Sequence, residues 1–176
     1  MGIGAQLVTI VVDVANVMGS RPDGWWRDRA GAAVRLHAEI ARLAASGRAI
    51  LRDEPRGPGE PGEPGENEAE QATVPGFVMV LEGAAKAAAA RLAPAQAEPD
   101  TPSASAESAA ADADVRPGEV RVVQAVGSGD DAIVAVVRRL PGRRVVVTAD
   151  RGLRDRCVAA GAEILGPSWL LGLLRG

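Results

Sequence analysis

The chain is poor in the residues that usually announce a site. It has a single cysteine, Cys157, in 176 residues, which excludes an intramolecular disulfide and a Cys-based zinc site and suits a reducing cytoplasm. Its single histidine, His37, falls inside a helical pattern with no partner His or Cys, so neither a His-based metal site nor a Ser-His-Asp triad around Ser128 can be assembled. The longest apolar run near the start, Leu7 to Val12, is too short for a membrane span or a signal h-region and lacks a basic flank. Gln6 breaks the myristoylation pattern that Gly2 would open. Lysine occurs once against 19 arginines, which reflects a GC-rich genome as readily as a binding preference. Aromatics number four, two of them the adjacent Trp25 and Trp26. These absences leave a cytoplasmic protein without a membrane partner as the expectation.

Glycine and proline are unevenly distributed. Residues 53–72, DEPRGPGEPGEPGENEAEQA, and residues 93–118, rich in Ala, Ser and Pro, cannot bury enough apolar surface to fold, and both are expected to be disordered acidic insertions in one domain spanning 1–176. They hold 12 of the acids and 2 of the bases. The rest of the chain therefore carries 18 bases against 11 acids, a net charge of +7 although the whole chain sums to -3. A cationic body is compatible with a polyanionic partner, and the acidic arms either compete for that surface or only maintain solubility.

Outside the insertions, strand and helix patterns alternate. LVTIVVD (7–13) is a short, continuous apolar run rich in β-branched residues, of the kind buried on both faces, GFVMVLE (76–82) reads as a second buried strand, and EVRVVQAV (119–126), RRVVVTAD (143–150) and AEIL (162–165) read as three further strands. Between them, residues 26–45, GAAKAAAARLA, SGDDAIVAVVRRL and RGLRDRCVAAG have helical spacing or propensity, and Pro167 opens a last helix. The expected fold is α/β, a three-layer sandwich with a central, mostly parallel sheet. In such sheets ligands bind beyond the carboxyl ends of the strands.

Carboxylates gather at that edge. Asp13, Glu82 and Asp150 end strands, Asp130 and Asp131 open a helix, and Asp155 follows about a turn and a half after Asp150. Each has a plain structural explanation as a turn former, a first-turn acid or an N-cap. Together they repel, and a cation would neutralise them. Oxygen-only ligands favour Mg²⁺ or Mn²⁺, and such ions support phosphodiester hydrolysis.

VVDVAN, GSGDDAIV and VVVTADRGLRDR, in that order, resemble the PIN-like nucleases and within them the NYN domain group. The resemblance implies a metal-dependent ribonuclease with Asp13, Asp130 and Asp150 as metal-coordinating acids, Asn16 as a polar site residue, Asp131 as an auxiliary acid and Asp155 as a candidate fourth. RNA is the implied partner. Strand two ends in Leu-Glu-Gly where Asp-Gly would be more typical, so Glu82 either reaches the metal or faces solvent. Arg21 and Arg151 are candidates for phosphate contacts, Trp25 for stacking on a base, with Trp26 the expected staple of the helix that follows. Ser128 sits where helix N-terminal amides could approach a phosphate. A metal-dependent phosphohydrolase of nucleotides and a catalytically inactive RNA-binding module remain as alternative readings.

Overall fold

The structure, a computed structural model, describes residues 7–48, 50–52, 72–92 and 114–175. Its strands are β1 (Val8–Asp13), β2 (Leu51–Arg52), β3 (Ala72–Thr73), β4 (Gly76–Leu81), β5 (Val120–Gln124), β6 (Arg143–Val147) and β7 (Glu163–Leu165). Its helices are α1 (Val14–Gly19), α2 (Arg29–Ala45), α3 (Ala89–Leu92), α4 (Gly129–Arg139), α5 (Arg151–Ala159) and α6 (Pro167–Arg175), with 3-10 turns at Trp25–Arg27 and Gly83–Ala88. Five strands form one parallel sheet in the order β5-β4-β1-β6-β7. Among the described residues no helix is long and apolar enough to cross a membrane.

β1 lies at the centre, and every one of its residues is buried, which is why its sequence runs apolar without alternation. Alternation decides which layer each side chain joins. Val8, Ile10 and Val12, with Phe77, Met79 and Leu81 of β4 and Val145 and Val147 of β6, pack with Leu36 and Ile40 of α2 and Leu170 of α6. Val11, Val78, Val80 and Val146 turn the other way and pack with Ile133 and Val137 of α4 and Leu153 and Cys157 of α5. Truncating one of the buried Leu or Ile side chains to Ala would cost about 2–5 kcal/mol.

The chain moves from β1 outward through β4 to β5, then returns to the far side of β1 for β6 and β7. β1 and β6 therefore send their continuations in opposite directions, and a crevice opens at their carboxyl ends. The three-layer α/β fold expected from the sequence is present.

Several boundaries differ from the sequence reading. The residues after Asp13 form α1, not a loop, because the Asp13 side chain accepts a hydrogen bond from the Asn16 amide and caps the helix. β6 ends at Val147, so Asp150 stands three residues past the strand as the N-cap of α5, accepting from the Leu153 amide. Ala72, placed in the first insertion, pairs with Arg52 in a two-residue antiparallel ladder. Residues 114–118, placed in the second, belong to the fold: Val115 is buried in the α4/α5-side core, and Gly118, at φ 78, donates its amide to the Pro75 carbonyl. The stretches 53–71 and 93–113 lie outside the described residues.

Candidate metal centre

The alternation that sorts the core also aims the polar residues at the strand ends. Asp13 follows Val11, Glu82 follows Val80 and Thr148 follows Val146, so all three continue the α4/α5 side of the sheet where the strands end. On α4, Asp130 extends the stripe of Ile133, Val134 and Val137 one turn toward the N-terminus. Four chain segments distant in sequence thus converge at one edge.

Asp13 is 8% exposed, one of three buried polar or charged residues among those described, with Thr9 and Thr148. Its Oδ1 accepts from the Asn16 amide at 3.1 Å and its Oδ2 from the Thr148 hydroxyl at 2.8 Å. The same Thr148 oxygen accepts from the Asp150 amide at 3.1 Å, which directs the hydroxyl proton to Asp13. Asn16 Oδ1 accepts from the Ala149 amide at 2.9 Å. Asp13, Asn16, Thr148 and Asp150 form one hydrogen-bonded unit across the crevice between β1 and β6. Thr148 was not among the residues singled out from the sequence; the signal was the Thr-Ala-Asp order at the strand end.

Glu82 is electrostatically coupled to both Asp13 and Asp130. Its Oε2 accepts from the Gly129 amide at 2.9 Å. Burial pushes the Asp13 carboxyl above the usual carboxylate range, the bonds from Asn16 and Thr148 oppose the rise, and the negative charges of Glu82 and Asp130 add to it. Asp130 is also raised, first by burial and then by Asp150, with Arg156 opposing and Glu82 and Asp131 adding. Asp13, Glu82, Asp130 and Asp150 are therefore one electrostatic group.

The donor chemistry fits a hard divalent cation, since every side-chain ligand on offer is an oxygen and most are anionic. The spacing is not closed: among the described residues no three His, Cys, Asp or Glu side chains converge as a group that could hold a metal ion.

The other candidates stand further out. Asp131 is exposed and ion-paired with Arg156 of α5. Asp155 is exposed and, among the described residues, has no hydrogen-bond or ion-pair partner; at about 100° per residue it lies opposite the buried stripe of Leu153 and Cys157. Arg21 is held by Glu39 of α2 through both guanidinium NH₂ groups, which makes it a strap between loop and helix. Arg151 and Ser128 are exposed beside Asp150 and Asp130, and the Ser128 side chain makes no capping bond.

The two tryptophans are placed opposite to expectation, Trp25 being the packed ring and Trp26 the exposed one. Trp25 packs against the α2-side core with Arg29 over its ring at 5.3 Å. Trp26 is 57% exposed, with Arg27 at 5.9 Å from its ring centroid. The reversal arises because α2 starts at Arg29 and not at Trp26. The intervening 3-10 turn sets the two rings at 88° to each other.

No family model matches the chain, and no curated protein matches it by sequence. In structure it is similar to Rae1 (YacP) from Bacillus subtilis, solved as a mutant, with a TM-score of 0.53 and 13% sequence identity over 96% of this chain and 76% of that one. The likeness concerns the fold, which is consistent with a PIN-like architecture.

Proposed function

We propose that the chain is a Mg²⁺- or Mn²⁺-dependent ribonuclease of the cytoplasm that hydrolyses phosphodiester bonds at the Asp13 edge. The observation that carries this reading is the buried Asp13 carboxylate at the switch point, bonded to Thr148 and coupled to Glu82 and Asp130. A buried acid among acids is costly unless a cation or a cationic ligand answers it. The PIN-like fold and the NYN-type order of the motifs support the same assignment.

Asp13, Asp130 and Asp150 would hold the cation once their side chains drew together on it, and it would supply activation of water and stabilisation of charge on the phosphoryl oxygens when bound. Asn16 and Thr148 keep Asp13 and the Asp150 segment in register across the crevice. Arg151, exposed at the start of α5, is free to meet a phosphate. The exposed indole of Trp26 offers a face to an unpaired base, a contact of about 1–3 kcal/mol.

A second reading, an RNA-binding module without catalysis, is favoured by one observation: the carboxylates do not converge as a ligand group. One experiment separates the two. Purified protein is incubated with labelled single-stranded RNA, duplex RNA, DNA and nucleoside triphosphates, with and without Mn²⁺, alongside Asp13→Asn and Asp150→Asn. Cleavage of single-stranded RNA that needs Mn²⁺ and both aspartates is expected. Retention of RNA without cleavage establishes the binding module, triphosphate hydrolysis alone establishes a phosphohydrolase, and equal cleavage by all three proteins removes both enzyme readings.

A further inference from the structure

Glu82 does something that no neighbouring acid does. It reaches from the end of β4 to the first amide of α4, 47 residues away in sequence, where Oε2 accepts from Gly129 at 2.9 Å. The residue that would ordinarily cap this helix, Ser128, has extended backbone and makes no side-chain capping bond. Glu82 therefore supplies from another element the acceptor that the first turn lacks.

The contact also dictates the residue at 129. A Cβ built there would lie 2.0 Å from Glu82 Oε2 and 2.6 Å from its carboxyl carbon. Gly129 is buried and occupies the first position of α4. The position tolerates alanine in backbone terms, since Gly129 is not among the glycines with positive φ, yet the glycine is needed to admit the carboxylate. The next residue is Asp130, whose charge is felt at Asp13. Lys86 braces the same loop by donating to the Ala125 carbonyl at 3.2 Å.

We propose that Glu82 is a positioning residue: it caps α4 in trans through Gly129 and so fixes the turn that carries Asp130 toward Asp13. The inference rests on the reading of Asp130 as a site carboxylate, and it distinguishes a helix-fixing role from direct metal ligation. A ligand would need the charge of Glu82; a cap needs only its acceptor oxygen.

Three variants make the distinction. Glu82→Ala removes acceptor and charge. Glu82→Gln keeps the acceptor and removes the charge. Gly129→Ala keeps Glu82 whole but expels it from the amide, and alanine is the better helix former, so the fold is retained. Each is measured for RNA cleavage with Mn²⁺ and for amide hydrogen exchange at residues 129–131, which requires no activity.

Glu82→Ala and Gly129→Ala are expected to lower kcat about 10- to 100-fold, leave KM for RNA unchanged and accelerate exchange at 129–131. Glu82→Gln keeps the slow exchange at 129–131 and loses clearly less cleavage than Glu82→Ala. The double variant Glu82→Ala/Gly129→Ala is no worse than either single change, because both break the same contact. Glu82→Gln as impaired as Glu82→Ala, with Gly129→Ala fully active, overturns the proposal and makes Glu82 a ligand. Unchanged exchange in Glu82→Ala and Gly129→Ala overturns it outright. Should wild type cleave nothing, the nuclease reading fails, and the exchange pattern alone still decides the role of Glu82.

Discussion

The two edges of the sheet treat their carboxylates in opposite ways. At the amino edge, Glu163 at the start of β7 receives two bonds from Arg143 at 2.7 and 2.9 Å, and Glu119 beside β5 meets Arg121 at 3.2 Å. The hydrogen bond from Arg143 holds Glu163 below the usual carboxylate range, and the Arg116 amide, with Arg121, does the same for Glu119. At the carboxyl edge, Asp13 and Asp130 are surrounded by further acids and both are raised. Arg156, the cation coupled to Asp130, is itself bonded to the outer Asp131. Carboxylates are paired at one end of the strands and crowded at the other, and the proposed cation would answer the crowding.

That contrast can be broken from either side. The largest effect is expected for Asp13→Asn. It should reduce Mn²⁺-dependent RNA cleavage at least about 100-fold, the upper end for groups that only orient ligands, and isothermal titration should show the loss in Mn²⁺ affinity. Thr148→Val comes next. It leaves Asp13 Oδ2 and the Asp150 amide without their partner, at about 1–3 kcal/mol of stability for each orphaned group, measured by urea unfolding, whereas Thr148→Ser keeps the bridge and most of the stability.

The pH response should carry opposite signs at the two edges. Asp13 has a raised value, so as pH falls from its folded value toward the ordinary carboxylate range the native state takes up a proton before the unfolded chain does. The metal-free protein gains stability there while Mn²⁺ affinity declines. Glu163 and Glu119 have lowered values, so their stabilisation is complete above the ordinary range and is lost as pH falls through their folded values. Urea unfolding across pH should show the first effect vanish in Asp13→Asn. The smallest change is expected for Glu163→Gln: less than about 1 kcal/mol, as for other exposed pairs, with cleavage unchanged.

Much of the fold was legible because buried parallel strands write themselves as unbroken β-branched runs, as in Thr9 to Val12 and Val145 to Val147. The carboxylate edge was legible too, since alternation and strand ends locate Asp13 and Glu82 without coordinates. Short elements were not. α1 depends on a single side-chain cap from Asp13, and β2 and β3 are two residues each, below any periodic signal. The roles of Trp25 and Trp26 turned on where α2 begins, a shift of three residues that exchanges the packed ring for the exposed one. Thr148 escaped notice because its importance lies in joining two acids far apart in sequence. For Asp13 and Asp150 the plain structural reading is correct, since each caps a helix with one carboxylate oxygen, and that capping is compatible with the role proposed for them at the edge.

Cys157, buried against the α4/α5 side of the sheet, has a thiol that burial pushes up to about 11. Near neutral pH it carries almost no thiolate and is shielded from reagents. For thiol-directed labelling the molecule therefore behaves as though it had no cysteine. A cysteine introduced at Val126, fully exposed in the loop leading to Gly129, would be the single reactive position, and a spin label or fluorophore there would report whether added RNA or Mn²⁺ changes the surroundings of that loop.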